Sequence, residues 1–248
     1  MLVPPVGWSD SIARSTIGMK VAMAISGLLL FGFVIGHMLG NLQVYMGPSA
    51  LNHYAAALQG NQGLLWVVRL GLLAILFTHV GSSVALVLRA RAARPQGYRK
   101  WQGKVSTYAS RTMRVSGPIL FLFIVFHLLH LTVGAVHPEL QHCVTQASGD
   151  LQCFAYQNVD AAFSLDTAGT TMAVQLGIVS FYVVAMLLLG MHLGHGAYSM
   201  FRTLGLNSPR YDKLARAFAT AVAVLIVVGN CSIPLAVATG LVGAAGGH

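Results

Sequence analysis

Charged residues are scarce in this chain, and acidic residues are the scarcest. Only 8% of the 248 residues are charged and six are acidic, whereas 56% are hydrophobic. Soluble globular domains carry roughly 25% charged residues, so this composition, with a mean hydropathy of +0.70, excludes that class and indicates an integral membrane protein. The long hydrophobic stretches contain no Asp or Glu, which argues against a carboxylate-supported metal centre inside them.

Cysteine is also scarce, with only Cys143, Cys153 and Cys231 in the chain. These three provide no cluster of the kind that holds an iron–sulfur centre, and no glycine-rich nucleotide loop lies between a predicted strand and a helix. Cys143 and Cys153 lie 10 residues apart in one loop. They are candidates for a disulfide, but spacing alone does not supply the required geometry, so the pairing stays open.

Five hydrophobic runs are long enough to cross a bilayer. A helix of about 20 apolar residues spans a hydrocarbon core of about 30 Å, and it satisfies its own backbone hydrogen bonds in lipid. The predicted spans are residues 21–42, 64–88, 115–136, 170–198 and 217–242. We therefore expect an all-α integral membrane protein with five transmembrane helices in a single membrane domain, residues 1–248.

The basic residues predict the orientation of these helices. Of the 15 Lys and Arg residues, 14 lie before the first span, between the second and third, or between the fourth and fifth, and only Arg69 does not. The positive-inside rule places that side in the cytoplasm, with the N-terminus inside and the C-terminus outside. The net charge of +9 thus reports topology and a surface for anionic lipid or an acidic partner, with no need for nucleic acid.

Histidine supplies most of the ionisable side chains within the predicted spans. Six of the ten histidines lie there, namely His37, His79, His127, His130, His192 and His195. Ionisable groups at membrane depth are costly and mark functional sites by default, and neutral imidazole is the commonest metal ligand. The sequence therefore predicts a metal or haem site between transmembrane helices.

These histidines fall at two depths. His79 and His192 each lie 10 residues from a basic residue of the cytoplasmic side, which places them roughly 15 Å deep. His37, His127 and His130 are expected roughly 20 to 25 Å from that side. One histidine from each of four helices, paired by depth, is what two haems with two imidazole ligands each require.

Two histidine doublets leave alternatives open. His127 and His130, like His192 and His195, are three residues apart and share a helix face. Both members of a doublet cannot occupy opposite sides of one planar haem, so one member of each has another role. The doublets also allow a non-haem zinc, copper or iron site, and depth does not separate His127 from His130.

Several motifs resemble one family. Residues 36–42, Gly-His-Met-Leu-Gly-Asn-Leu, followed by Asn52-His53-Tyr54, resemble the first-helix motif of the cytochrome b membrane anchor of succinate dehydrogenase and fumarate reductase, in its five-helix, two-haem, single-subunit form. Further similar motifs are Arg94-Pro95 with Tyr98, residues 110–114 before Phe126-His127-Leu128, and residues 192–196 before residues 203–205. The resemblance covers about residues 9–235, nearly the whole chain.

The resemblance implies the membrane subunit of a succinate:quinone oxidoreductase in a bacterial inner (plasma) membrane. Two soluble subunits would bind its cytoplasmic side, a flavoprotein that oxidises succinate and an iron–sulfur protein that passes on the electrons. The anchor has no succinate-oxidising site. Two haem b groups would carry electrons to a membrane quinone, for which menaquinone is the expectation.

The resemblance also implies which residues bind the haems. Its four iron ligands are His79 and His192 at the inner haem, nearer the cytoplasm, and His37 and His127 at the outer haem. His127 is preferred to His130 because it occupies the motif position, and His195 is expected beside the inner haem without binding iron. The first four helices would enclose both haems, with the fifth packed outside.

Other polar residues near these depths are weaker candidates for haem contacts. They are Asn41, His53, Tyr54 and Arg69 near the outer end, and Ser26, Ser82 and Ser83 within the spans. A serine in a membrane helix more often bonds its own backbone.

Two other functions stay open from the sequence. A haem b anchor of another dehydrogenase, such as a hydrogenase or a formate dehydrogenase, would use the same histidines. A transporter would use them to carry protons or a metal ion. The sequence does not decide between succinate oxidation and fumarate reduction.

Overall fold

The structure is a computed structural model that describes residues 15–93, 108–145, 151–206 and 208–243, with the backbone alone at 108–110 and 151. Its helices are α1 (Thr16–Asn41), α2 (Pro48–Gln59), α3 (Gln62–Ala92), α4 (Tyr108–His127), α5 (Ala155–Phe163), α6 (Met172–Thr203) and α7 (Pro209–Ala238). Short 3₁₀ turns span Leu42–Met46 and Pro138–Leu140, and two strands are β1 (Cys143–Thr145) and β2 (Leu151–Cys153). The family-like residues Arg94, Pro95 and Tyr98 lie outside the described residues.

Five helices of the described chain are long and apolar enough to cross a membrane. They cover Thr16–Met46, Gln62–Ala92, Arg111–Thr132, Met172–Thr203 and Pro209–Ala238. The expectation of an all-α, multi-pass membrane protein with five spans is therefore confirmed. We call the end that carries Lys20, Arg89 and Arg202 the basic end, and the end that carries β1 and β2 the hairpin end.

The helix boundaries correct the predicted spans in a regular way. At the basic end every long helix runs four to eight residues beyond its hydropathy limit, as where 217–242 becomes Pro209–Ala238 and 170–198 becomes Met172–Thr203. Hydropathy detects the part that matches the hydrocarbon thickness, whereas the helix itself continues into the interface. At the hairpin end the predicted 115–136 stops at Thr132, because Gly134 adopts a left-handed φ of 71°.

Polar caps explain where four of the long helices begin. Ser15 accepts a hydrogen bond from the Gly18 backbone N–H at 2.9 Å, and Asn61 accepts one from the Leu64 N–H at 2.9 Å. Thr171 and Ser208 cap α6 and α7 in the same way. Such caps satisfy backbone donors that have no partner within the helix.

The third span does not end as a regular α-helix. Residues Leu128–Thr132 form a π turn, in which the Val133 N–H donates to the Leu128 carbonyl at 2.8 Å. A π turn holds more residues per turn than an α-helix and often marks a functional site. His130 lies within this turn, and its Nδ1 and that of His127 both contact the Tyr182 hydroxyl on α6.

The fifth span packs beside the first and fourth. One buried cluster joins α1, α6 and α7 and consists of Phe31, Met38, Ala197, Ala219 and Ile226. At Gly190 a Cβ would overlap the Val227 side chain, so only glycine allows α6 and α7 to approach this closely. The four histidine-bearing helices thus lie to one side of α7, which carries no histidine.

The second span, α3, is set apart from the others. It packs closely along α1, and no backbone packing of similar extent joins it to α4 or α6 within the described residues. None of its 31 residues is buried. Within the described residues, α3 is therefore attached to the other long helices mainly through α1.

A small structured cap covers the hairpin end. Strands β1 and β2 pair antiparallel, and Cys143 and Cys153 form the disulfide that the sequence left open. The side-chain amide of Gln59 on α2 donates to the Cys153 carbonyl and accepts from the Cys153 N–H. The Asn52 amide donates to the side chain of Gln157 at 2.9 Å. The cap fixes the ends of α1, α4 and α6 around the histidines nearest to it.

Candidate functional site

The first histidine pair lies toward the hairpin end. His37 of α1 and His127 of α4 face each other with ring centroids 5.8 Å apart and ring planes at 89°. Each ring stacks on a phenylalanine one turn earlier in its own helix, His37 on Phe33 at 5.3 Å and His127 on Phe123 at 5.8 Å. We call these two residues the hairpin-end pair.

The second pair lies nearer the basic end. His79 of α3 and His192 of α6 have ring centroids 6.3 Å apart and planes at 62°. Through this ring contact, a side chain of α3 reaches α6, although the two helices do not pack extensively against each other within the described residues. The structure thus brings together, two by two, the four histidines proposed as ligands from the sequence. We call His79 and His192 the basic-end pair.

A backbone carbonyl orients His79. Its Nδ1 lies 3.0 Å from the Met23 carbonyl oxygen on α1 and 3.4 Å from the Ser26 hydroxyl. Since a carbonyl oxygen only accepts, Nδ1 carries the proton and Nε2 keeps its lone pair. The Ser26 hydroxyl itself bonds the Ala22 carbonyl at 2.7 Å, as expected of a serine in a membrane helix.

A tyrosine hydroxyl orients His127. The hydroxyl of Tyr182 on α6 lies 3.4 Å from Nδ1 of His127 and 2.9 Å from Nδ1 of His130. His130 is buried, with 3% of its surface exposed, and its ring packs against Phe126 and Phe163. This geometry favours His127 over His130 as the partner of His37.

Sequence reasoning missed Tyr182. One signal was available, because a tyrosine inside an apolar span must find a hydrogen-bond partner for its hydroxyl when it is buried. Choosing that partner requires the rotation of α4 and α6 about their axes. That rotation depends on packing and on the π turn rather than on depth.

The other histidine of each pair, His37 or His192, has a different hydrogen-bond environment. The Asn41 amide lies 3.1 Å from Nε2 of His37 and occupies its lone pair, so a metal bound at Nε2 would replace this hydrogen bond. Nδ1 of His192 is buried and has no hydrogen-bond partner among the described residues. Each pair thus contains one histidine anchored at Nδ1 by a neighbouring helix and one that is not.

His195 belongs to neither pair. It lines an open cleft of about 540 Å³ at the basic end, together with Lys20, Ser199 and Arg202. It lies about one helical turn beyond His192, toward the basic residues, and its expected position beside a haem stays a prediction.

Several weaker candidates serve as structural contacts. A Cβ at Gly40 would lie 2.7 Å from the Tyr54 hydroxyl, so Tyr54 packs closely on α1. The Arg69 guanidinium lies 5.2 Å above the Trp66 ring, and His53 is exposed on α2. The structure brings none of these three against the histidine pairs.

The spacing of the rings can be compared with metal binding. A metal–imidazole bond is about 2 Å and the bonded nitrogen lies roughly 1.2 Å from the ring centre, so two axial imidazoles place their centroids roughly 6 Å apart. The observed separations are 5.8 and 6.3 Å. Both ring separations are therefore close to the spacing expected of a metal with two axial imidazole ligands.

The donor sets contain two imidazoles each and no more. Among the described residues no group of three or more His, Cys, Asp or Glu side chains is placed to hold a metal ion. Gly32 and Gly36, on α1 beside His37, face open space with no atom within 4 Å of a Cβ built on either. Two axial nitrogens with free space between helices suit a metal whose remaining ligands come from a flat macrocycle.

Comparisons with protein-family models, with curated proteins and with solved structures found no match, so what the chain does is inferred from the geometry of its two histidine pairs.

Proposed function

We propose that this chain is the dihaem cytochrome b membrane anchor of a succinate:quinone oxidoreductase. One observation carries the proposal: four transmembrane helices contribute one histidine each, and these meet as two pairs with centroid separations of 5.8 and 6.3 Å. The pairs lie at different depths, so two haems stacked across the membrane would give electrons a path from one side toward the other.

The donor chemistry supports haem over a non-haem metal. A structural zinc site takes four protein ligands and a catalytic one takes three, whereas each pair offers two imidazoles. A haem supplies the four equatorial nitrogens itself and needs only the axial ligands. The long hydrophobic stretches also contain no carboxylate, which disfavours a carboxylate-supported iron centre.

The proposal assigns a role to each histidine. His79 and His192 would hold the haem at the basic end, and His37 and His127 the haem at the hairpin end. Bound haem supplies a one-electron carrier. The protein orients two of the ligands through hydrogen bonds from neighbouring helices and shields the site with packed helices.

The basic end is the surface proposed for the soluble subunits. Positive residues cluster there, among them Lys20, Arg89, Arg91 and Arg202, and the positive-inside rule places them in the cytoplasm. An iron–sulfur subunit docked at this end would deliver electrons to the haem at the basic-end pair, and a flavoprotein bound to it would oxidise succinate. Membrane quinone would accept the electrons from the haems.

Succinate-driven haem reduction tests this assignment. The complex is purified through a tag on this chain, and haem absorbance is followed when succinate is added without oxygen. The proposal predicts reduction of b-type haem by succinate and reoxidation by added menaquinone analogue. Reduction by hydrogen or formate but not by succinate would indicate the membrane anchor of another dehydrogenase. Absence of haem would favour a transporter.

A further inference from the structure

The linked residues His127, Tyr182 and His130 form a polar group inside an aromatic cluster. Only 6% of Tyr182 is exposed, and its ring packs against Phe163 at 4.8 Å and Phe123 at 5.1 Å. A hydroxyl buried in this way satisfies its hydrogen bonds within the protein. Both of its contacts are to Nδ1 atoms of histidines.

One proton arrangement makes His127 able to bind a metal. A hydroxyl has a single proton, so it donates to one histidine and accepts from the other. If the Nδ1–H of His127 donates to Tyr182, the Tyr182 hydroxyl donates to Nδ1 of His130. Nε2 of His127 is then unprotonated. The opposite arrangement protonates that Nε2 and removes it as a ligand.

We infer that Tyr182 is a positioning residue, which selects the iron-binding tautomer of His127 and lowers the reduction potential of the haem held there. The inference rests on the proposed function. A hydrogen bond from Nδ1–H raises the basicity of the coordinating nitrogen, and a more electron-rich ligand favours oxidised iron. His130 acts through Tyr182 by accepting a hydrogen bond from its hydroxyl. The lone pairs of the hydroxyl oxygen then accept the hydrogen bond from His127.

The hydroxyl can be removed while the ring stays. Tyr182→Phe retains the packing against Phe123 and Phe163, so both haems should remain at two per chain. The potential of the haem at the hairpin-end pair should rise in a redox titration, and that of the other haem should not move. Tyr156→Phe is the matched control, because it removes a buried hydroxyl that accepts from the Gly243 N–H. It should leave both potentials unchanged.

A second readout does not depend on haem. In the full-length chain in lipid, labelled with ¹⁵N-histidine, magnetic resonance should show His127 protonated at Nδ1, and Tyr182→Phe should shift that signal.

Two haems with unchanged potentials and an unchanged nitrogen signal in Tyr182→Phe would overturn the inference and leave the proposed function standing. Loss of the haem in Tyr182→Phe would also overturn it, since the hydroxyl would then hold the haem rather than tune it. A wild-type chain without haem would contradict the proposed function, while the nitrogen signal would still decide the tautomer.

Discussion

The two histidine pairs have similar ring separations but different supports. At the basic end, the Met23 carbonyl accepts from Nδ1 of His79 at 3.0 Å, whereas at the hairpin end the Tyr182 hydroxyl contacts Nδ1 of His127 at 3.4 Å. A backbone carbonyl is present whatever side chain the residue carries. A tyrosine hydroxyl disappears with one substitution. The hairpin-end pair is therefore the one whose support a single side chain controls.

The unanchored members also differ. His37 bonds Asn41 four residues later on its own helix, while Nδ1 of His192 has no partner in the part of the chain that the structure describes. In both pairs the anchored histidine is bonded to a neighbouring helix, so it would define the position of a metal bound by the pair. The rings of His37 and His192 have no such bond to a neighbouring helix among the described contacts.

Removing a ligand from one pair at a time should have the largest effect. His79→Ala and His192→Ala should each lower haem content from two to one per chain and remove one absorption band, and His37→Ala should remove the other band. The reason is that iron loses one of its two axial ligands. Haem is counted as the pyridine haemochrome, and the surviving haem shows that the chain is folded. His53→Ala, an exposed histidine, should keep both. Loss of the same band in His79→Ala and His37→Ala would mean that the pairs are not separate sites.

A sharper test separates the two histidines of the third span. His127→Ala should lose one haem, because it removes the ring that faces His37. His130→Ala should keep both haems with a shifted potential, since His130 contacts Tyr182 instead. Haem counting and redox titration of the two variants decide the matter. The opposite result, with haem lost only in His130→Ala, would exchange their roles.

The basic-end pair can be disturbed without touching a ligand. A Cβ at Gly27 would lie 3.0 Å from Cε1 of His79, and the two methyl groups of a valine would push the ring from the Met23 carbonyl. Gly27→Val should therefore bind less than one haem at this pair and leave the other haem intact. Gly177→Val is the control, since nothing lies within 4 Å of a Cβ at Gly177. Equal haem loss in both variants would point to general instability of the helices.

The smallest effect is expected from the serine beside His79. Ser26→Ala removes a hydroxyl 3.4 Å from Nδ1 but leaves the stronger contact to the Met23 carbonyl. Redox titration should show the potential of the basic-end haem nearly unchanged, in contrast to the shift expected from Tyr182→Phe. A shift of similar size in both would show that the backbone anchor does not dominate.

Hydropathy and spacing were sufficient for the parts of the fold that depend on one helix at a time. The five spans follow from apolar length. Counting residues from the basic boundaries placed His79 and His192 at one level because the rise per residue of a helix is constant. The structure brings these two rings together.

Contacts that depend on helix rotation could not be predicted in this way. The contact of His130 with Tyr182 depends on how α4 and α6 are rotated about their axes, and α-helical spacing does not anticipate the π turn in which His130 lies. The bond from His79 to the Met23 carbonyl requires α1 and α3 to be side by side. The extension of each helix at the basic end lies beyond the apolar segment, so hydropathy does not register it.

The most direct test of the central claim is the haem-to-chain ratio of the purified wild-type protein, measured together with its reduced-minus-oxidised spectrum. Two pairs of axial imidazoles predict two haem b groups per chain, both low-spin and with separate potentials. A ratio of one or zero, or a high-spin spectrum from iron with a single imidazole, would contradict the assignment of His37 with His127 and His79 with His192 as two haem sites.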